Sequence, residues 1–313
     1  VKKGKDTIIT DLEEDILSVD SKKMNRPFRS WKSALKNWAR RGPIEFRRLK
    51  AGDDCAFDFL REEGIETEVL GPLTTRVDGR DGLKFLGNPP KGVHAFEDGD
   101  APDFTGLSAS HTINGHSVIL RMRYGRFRFL FAGDLNHEAE THLLKNSPGD
   151  LRSEVFKVPH HGSADFDRNF IKAVSPVISV ISSGDENSRK EHIHPRATLV
   201  GALGRFSRID EPIILITELV AFFNVEGFIA PKWHNMSATG AREAKKRGSK
   251  IVNIPERKSF FSFSRTAFGI VKIRTDGNRL LVYTNSGQDR KKEVYAFTAS
   301  RPGQVRRVDV KRT

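Results

Sequence analysis

Residues 117–134 read SVILRMRYGRFRFLFAGD, and this stretch decides the fold class of the chain. Its apolar side chains predict a strand over 117–123, a turn at Tyr124–Gly125 and a second strand over 127–132. Downstream, short apolar runs alternate with segments of helical periodicity. Strands that alternate with helices in this way predict an α/β fold. The further predicted elements are helices over 138–145, 167–174 and 196–206, and strands over 155–158, 177–183 and 212–217.

Three of these strands lead into polar loops that carry chemically useful side chains. The strand at 127–132 runs into Gly133–Asp134, the strand at 155–158 runs into PHHGS, and HIHP follows the strand at 177–183. Loops at the carboxyl ends of strands in an α/β sheet meet at one edge, where sites are built. One carboxylate and several imidazoles form a ligand set for Zn²⁺, Mn²⁺ or Fe. Each loop by itself is more typical of an ordinary turn, or of a surface or core histidine, than of a metal ligand.

The remaining segments are less regular. Residues 28–41, FRSWKSALKNWARR, predict a helix in which Trp31, Leu35 and Trp38 recur at helical spacing and are expected in the core. The other predictions are a short helix from Asp53 or Asp54 to Gly64, a strand over 65–70, a long irregular insertion over 73–107, a basic mobile stretch at about 235–259, and a hairpin that turns at Asp276–Gly277.

The charge of the chain is unevenly distributed. There are 53 Lys and Arg residues against 40 Asp and Glu residues, which gives a net charge of +13. Residues 1–50 hold 14 basic and 7 acidic side chains, residues 241–313 hold 19 and 6, and the segment between them holds 20 and 27. Basic ends around an acidic middle are suited to a polyanionic partner such as nucleic acid. A solvated surface of Lys and Arg gives the same composition and is the alternative.

Cysteine content and hydropathy exclude several classes of protein. The single cysteine, Cys55, excludes an internal disulfide framework and a CxxC site. No apolar run approaches the roughly 18–20 residues that span a bilayer, so we predict a soluble, cytoplasmic protein with no membrane association. The chain opens on Val1 without an apolar signal core, which leads us to expect that preceding sequence was removed or that the chain is a fragment.

Residues 112–206 resemble the metallo-β-lactamase-fold hydrolases, and within them the ComEC-type DNA-uptake proteins and their stand-alone soluble relatives. The resemblance rests on NGHSVILRMRYGRFRFLFAGDLNHEAETHLL at 114–144, SEVFKVPHHGS at 153–163 and HIHP at 192–195. The tail RTAFGIVKIRTDG at 265–277 matches more loosely. The resemblance implies a four-layer αββα sandwich that holds one or two metal ions, Zn²⁺ with Mn²⁺ or Fe as alternatives, at one sheet edge.

The resemblance also assigns metal ligands residue by residue. Asp134 matches the family's metal-bridging aspartate in its Gly-Asp motif. His194, with His192 as the other candidate, matches the histidine of the last metal motif. His160 and His161 match the histidines of the family's HHGS motif, which are expected to contact a metal or the scissile phosphate.

Three further residues are expected to line the same pocket. Asn114 and Ser117 match the Asn-x-x-Ser segment of this branch. Ser163 is expected to donate a hydrogen bond to a phosphate or to orient His161, and a plain turn residue after Gly162 is an equally good interpretation.

One part of the family pattern is missing. The first histidine of the chain is His94, and no His-x-His-x-Asp-His motif is present. We therefore expect an N-terminally truncated sandwich, with a homologue that never had the motif as the alternative. Its predicted parts are a remnant of the first half with an irregular insertion over 1–110, the second half with the metal motifs over 111–230, and a basic mobile loop with a hairpin over 231–313.

The function implied by the resemblance is metal-dependent hydrolysis, most simply by a phosphodiesterase or nuclease whose metal activates a water molecule. The basic segments KSALKNWARR at 32–41 and AREAKKRGSK at 241–250 would hold the phosphate backbone of nucleic acid. Base stacking on Trp31 and Trp38 is the alternative to their place in the core. Two other functions stay open, namely hydrolysis of a small ester, lactone or thioester, and binding of nucleic acid or protein by a degenerate, non-catalytic homologue.

Overall fold

The computed structural model describes residues 1–88, 105–146, 151–184, 194–217, 227–229, 250–251, 261–263, 270–284 and 293–310, with the backbone alone at 88, 105, 227–229, 250–251, 261–263 and 293. The α-helices are α1 Arg26–Ala39, α2 Ala109–Gly115, α3 His137–Asn146, α4 Arg168–Val174 and α5 Ala197–Phe206, and 3-10 helices cover Ser21–Lys23, Asp54–Glu63 and His160–Gly162. The strands are β1 Lys2–Lys3, β2 Asp6–Ile9, β3 Ile65–Gly71, β4 Thr75–Val77, β5 Arg80–Lys84, β6 Gly87–Asn88, β7 Thr105–Leu107, β8 Ile119–Tyr124, β9 Phe127–Phe131, β10 Val155–Lys157, β11 Ile178–Ile181, β12 Ile213–Ile216, β13 Gly227–Ile229, β14 Lys250–Ile251, β15 Phe261–Phe263, β16 Val271–Thr275, β17 Arg279–Thr284, β18 Glu293–Arg301 and β19 Gln304–Val308.

A six-stranded sheet in the order β12-β11-β10-β9-β8-β3 contains the predicted strands. Strands β9 to β12 run parallel to one another, whereas β8 and β3 pair antiparallel. In this register Val155 of β10 lies between Phe129 of β9 and Ile178 of β11. The carboxyl ends of β9, β10 and β11 therefore lie side by side, as the strand-and-loop pattern predicts.

Successive residues of these strands pack into different cores, because side chains of a strand alternate between the two faces of a sheet. Phe156 of β10 packs with Phe170 of α4 and Leu203 of α5 in a core beneath the helices. The neighbouring Val155 packs with Val282 and Phe297, which belong to a four-stranded antiparallel sheet in the order β16-β17-β18-β19. The described residues thus form three layers, which are helices, a mixed sheet and a second sheet.

The α/β class is confirmed by this arrangement. The four-layer αββα sandwich stays a prediction, because the layers described here place helices on only one side of the paired sheets. The predicted hairpin around Asp276–Gly277 is present as β16–β17, and it is larger than expected since β18 and β19 extend it to four strands. The predicted mobile stretch at about 235–259 lies largely outside the described residues.

Two predictions for the N-terminal part are wrong. The segment 73–107 is not simply irregular, because β4 and β5 join β2 and β1 in a four-stranded sheet.

Helix α1 forms as predicted, with Asn25 accepting a hydrogen bond from the Phe28 amide at 3.1 Å as its N-cap. Its tryptophans, however, are exposed rather than in the core. Helix α1 contacts the segment before it through Lys32, which is buried and donates to the Val19 carbonyl.

Within the described ranges, no helix combines the length and the apolar character required to cross a bilayer.

Candidate functional site

The Gly133–Asp134 turn at the end of β9 is fixed by Ser117. The amide of Asp134 donates to Ser117 Oγ at 2.9 Å, and that hydroxyl donates to the Asn114 carbonyl oxygen at 2.8 Å. Gly133 adopts φ 54°, and a Cβ at this position would overlap the Ser117 side chain. The Asn-x-x-Ser segment therefore acts as a support for Asp134, holding its backbone rather than its carboxylate.

The His160–Gly162 turn after β10 has a left-handed backbone at three consecutive residues. The φ angles are 46° at His160, 53° at His161 and 85° at Gly162. Residues other than glycine seldom adopt such angles, which cost of order 1–3 kcal/mol each and cluster at functional sites. The two histidines are therefore positioned by a tight turn and not by a regular helix.

Main-chain hydrogen bonds join the three predicted loops. The amide of His160 donates to the Gly133 carbonyl at 3.1 Å, which ties the histidine turn to the aspartate turn. The amide of Arg196 donates to the Gly162 carbonyl at 2.8 Å, which ties the histidine turn to the loop that carries His194. The prediction that these motifs meet at one edge of the sheet is confirmed for the described residues, while His192 lies outside them.

His161 and Asp134 face each other at the centre of this edge. Nδ1 of His161 lies 2.8 Å from the Ser182 carbonyl oxygen, so it carries the proton and donates. Nε2 then presents a lone pair, and it lies 3.8 Å from Oδ1 of Asp134. Two acceptors that face each other are stabilised by a cation between them or by a second proton on the imidazole. Two ligands of one Zn²⁺ ion lie roughly 3.3 Å apart, so this separation is close to that of a ligand pair.

His160 lies beside this pair in a less exposed position. Its Nε2 is 3.5 Å from Nδ2 of Asn114, and its ring centroid is 5.9 Å from that of His194. Its Nδ1 is buried and has no hydrogen-bond partner among the described residues. Burial lowers the pKa of His160 below its ordinary value, an effect that the carboxylates of Asp134 and Asp165 oppose. A neutral imidazole with an unsatisfied buried nitrogen is chemically suited to bind a metal ion.

The described residues by themselves do not form a complete metal site. No group of three His, Cys, Asp or Glu side chains in the described part of the chain is arranged to hold a metal ion. The donor types and the separation of the Asp134–His161 pair fit a metal, and the described residues do not supply the remaining ligands at bonding geometry.

The Ser163 hydroxyl makes its described contact within the turn. Its Oγ accepts a hydrogen bond from the Asp165 amide at 3.2 Å. This contact corresponds to the turn interpretation of Ser163, and no described contact joins its hydroxyl to His161.

A second pair of polar side chains, which the sequence does not predict, lies next to His160. Nδ1 of His111 lies 3.5 Å from Oδ2 of Asp165, and Oδ1 of Asp165 accepts from the His137 amide at 3.3 Å. Both side chains are mostly buried. The available signal was weak, since His111 precedes Asn114 by about one turn of α2 and Asp165 follows the histidine turn by only a few residues.

A lysine also faces the site from β10. Burial lowers the pKa of Lys157, and the nearby carboxylate of Asp134 works in the opposite direction. Its Nζ donates to the Val158 carbonyl at 3.0 Å. Among the described residues, the edge therefore holds the carboxylates of Asp134 and Asp165, several imidazoles and one partly buried ammonium group.

Comparison with known proteins supports the ComEC-type part of the resemblance, over a limited segment of the chain. The chain is 40% identical over 83 residues to Competence protein ComA of Neisseria gonorrhoeae, a match that spans 26% of this chain and 12% of that protein. It is 33% identical over 84 residues to ComE operon protein 3 of Bacillus subtilis strain 168, over 26% of this chain and 11% of that protein. The chain thus spans about a tenth of the length of these relatives. No protein-family model and no solved structure matches it.

Proposed function

We propose that this chain carries part of the active site of a metal-dependent phosphodiesterase that acts on nucleic acid. The observation that supports it is the pair of acceptors formed by His161 Nε2 and Asp134 Oδ1, 3.8 Å apart at the carboxyl edge of the sheet. This pair, together with the neighbouring His160 and His194, supplies part of the ligand set of a cation site.

In this proposal Asp134, His160, His161 and His194, with His192 as a further candidate, would hold Zn²⁺, or Mn²⁺ or Fe in its place. A bound divalent metal supplies Lewis acidity toward a phosphoryl oxygen and lowers the pKa of water. The other tasks belong to the protein. Ser117 and Asn114 hold the backbone of Asp134 in place, and the Ser182 carbonyl fixes the tautomer of His161.

The choice of nucleic acid as substrate rests on charge and on the relatives. The N-terminal 50 residues carry a net charge of +7, and the last 73 carry +13. Such segments bind a phosphate backbone at low salt. The two relatives bear the names of competence proteins, which supports a role related to DNA uptake for this chain as well.

The proposal is tested by metal analysis combined with a cleavage assay. The purified wild-type chain is assayed for bound metal, and its activity on single-stranded DNA, RNA and a generic phosphodiester is compared with that of Asp134→Ala. We expect loss of metal and of cleavage in Asp134→Ala, with both retained in the control Asp309→Ala, which removes an exposed carboxylate at the end of β19.

Three outcomes would contradict the proposal or part of it. A wild-type chain without stoichiometric metal would favour a non-catalytic binding protein. Cleavage that persists undiminished in Asp134→Ala would show that the site is assigned to the wrong residues. Hydrolysis of small esters, lactones or thioesters without hydrolysis of phosphodiesters would favour the alternative substrate class.

A further inference from the structure

Helix α1 presents an apolar stripe of aromatic side chains to solvent. The exposed fractions are 47% for Phe28, 50% for Trp31 and 62% for Trp38. The Phe28 and Trp31 rings meet edge to face with their centroids 6.0 Å apart. The Arg41 guanidinium lies over the Trp38 ring at 5.1 Å. A tryptophan is normally one of the more buried residue types, so two exposed on one helix indicate a binding surface.

The same segment is strongly basic. Between Arg26 and Arg41 there is no Asp or Glu residue. All of its cations except the buried Lys32 are exposed. This surface therefore combines flat aromatic rings with unopposed positive charge. The basic residues of the segment are Arg26, Arg29, Lys32, Lys36, Arg40 and Arg41.

A groove lies beside this helix. It has a volume of about 1200 Å³, and Phe28 and Trp31 form part of its lining. It extends to His116 and Val118, the two neighbours of Ser117, whose hydroxyl holds the Asp134 amide. A chain lying in this groove would pass from the aromatic rings of α1 to the support of the candidate site.

Charges are distributed unequally around the groove. One part of its lining carries the carboxylates of Asp11, Glu13, Glu14 and Asp81, of which Asp81 is paired with Lys50 and Asp11 lies 3.9 Å from Arg80. The α1 wall carries no acidic side chain. The basic residues of the lining are Lys23, Arg47, Arg48, Lys50 and Arg80, whereas the cations of α1 lie beside the groove rather than in it. A polyanion would therefore meet these cations within the groove and the cations of α1 where it leaves the groove.

We propose that α1 is a stacking platform for single-stranded nucleic acid, and that the groove leads the strand from this platform toward Asp134. Exposed aromatic rings among cations bind single strands because unpaired bases stack on the rings while the phosphates meet the charges. This inference rests on the proposed function only for the direction in which the strand runs. Binding at α1 requires no metal and no turnover.

The shape of the surface favours a single strand over two other polyanionic partners. A duplex keeps its bases stacked internally, so it contacts Lys and Arg but leaves the rings of Trp31 and Trp38 unused. An anionic membrane can also bind a basic amphipathic helix, but a planar bilayer does not follow a concave groove that begins at two of the aromatic rings.

The first test measures binding of a fluorescein-labelled oligothymidylate to the full chain by anisotropy, in EDTA so that cleavage does not interfere. We expect Trp31→Ala and Trp38→Ala each to weaken binding by about tenfold, and Trp31→Phe and Trp38→Phe to stay close to wild type, because phenylalanine still stacks. The matched control is Phe59→Ala, which removes an exposed aromatic side chain from another part of the surface.

The second test separates charge from stacking through the dependence of binding on salt. Arg40→Gln combined with Arg41→Gln is expected to reduce the slope of log K against log salt by roughly two, because each neutralised phosphate contributes about one. Lys145→Gln combined with Lys172→Gln, on helices α3 and α4, serves as the control and is expected to leave the slope unchanged.

The results that overturn the inference are specific to it. Alanine variants that bind the oligonucleotide as tightly as the wild type, or equal affinity for single-stranded and duplex DNA, would exclude a stacking platform. Binding to phosphatidylserine vesicles without binding to the oligonucleotide would show that the surface serves a membrane. If α1 binds the oligonucleotide but the wild type cleaves no substrate, the proposed function is wrong and the stacking platform stands. If the wild type cleaves nucleic acid and the tryptophan variants bind the oligonucleotide as the wild type does, the stacking platform is wrong and the proposed function stands.

Discussion

At the scale of single residues, Gly162 determines how closely the His160–Gly162 turn approaches the loop that carries His194. Its Cα packs against Pro195, the residue after His194, and its φ of 85° is one that other residues rarely adopt. The glycine therefore serves both the turn that carries His160 and His161 and the contact that brings His194 near them.

Replacing Gly162 by alanine is expected to destabilise the protein by about 1–3 kcal/mol, because the new Cβ overlaps Pro195 and the backbone becomes strained. Urea denaturation measures the change. The control is Gly204→Ala in α5, where a Cβ meets no atom within 4 Å and the helix gains roughly 0.5–1 kcal/mol. Equal effects of the two substitutions would contradict this role of Gly162.

Glu140 gives a second prediction at this scale. Its side chain is fully buried in α3, and burial raises its pKa well above the ordinary value of 4.5. The hydrogen bond from the Asp167 amide opposes this rise, and the carboxylates of Asp167 and Asp165 add to it. The folded state thus holds the proton more tightly than the unfolded state does. The contribution of this group to the free energy of unfolding is complete below pH 4.5 and is lost as pH rises toward the folded-state pKa.

Glu140→Gln removes this ionisation while keeping the size of the side chain. As pH rises from 5 to about 8, the wild type should therefore lose free energy of unfolding relative to the variant, which has no carboxyl group to ionise at this position. Urea denaturation at a series of pH values measures it. A difference that does not change with pH would show that Glu140 does not titrate differently in the folded and unfolded states.

At the scale of elements, a buried ionic network joins the central sheet to the chain after α5. Oε1 of Glu154 accepts from Arg128 Nη2 at 3.1 Å and from Arg208 Nη1 at 2.9 Å. The Arg208 guanidinium also donates to the Ser153 carbonyl at 2.7 Å and lies 3.5 Å from the Gly303 carbonyl in the β18–β19 turn. The network therefore connects both sheets at one end of their shared core.

Glu154→Gln is expected to destabilise the protein by about 3–5 kcal/mol, because it leaves two buried guanidinium groups without their counter-ion. Glu211→Gln is the matched control. It breaks a pair of similar chemistry with Arg307 that is exposed, so its cost should stay below about 1 kcal/mol. Denaturant titration of both variants compares them, and similar costs would mean that the network is as weak as the surface pair.

At the scale of the whole molecule, the central sheet is stabilised on both faces. Helices cover the side of Phe156, and the sheet β16–β19 covers the side of Val155. The turn between β8 and β9 also contacts the turn between β16 and β17, since the Arg126 amide donates to the Gly277 carbonyl at 2.8 Å. The C-terminal sheet is therefore part of the same folded body as the candidate site.

Phe297→Ala tests this dependence. The side chain is fully buried between the sheets, so its truncation should cost about 3–5 kcal/mol and should lower the stability of both sheets together. Hydrogen exchange measured on β9 and β10 would report the effect on the distant sheet. Exchange that accelerates only in β16–β19 would show that the C-terminal sheet unfolds independently. Val310→Ala, at an exposed position, is the control.

The sequence by itself determined the strands of the central sheet, the α/β class and the meeting of the Gly-Asp, HHGS and HIHP loops. These depend on local patterns, because apolar periodicity and chain order constrain where parallel strands end. The sequence did not determine the pairing of His111 with Asp165, whose positions in the chain are far apart. It also placed Trp31 and Trp38 in a core, because an amphipathic pattern shows that a helix has an apolar side without showing what covers it. Only the tertiary structure decided that this side of α1 faces solvent beside a groove, since burial depends on contacts between elements that no local pattern encodes.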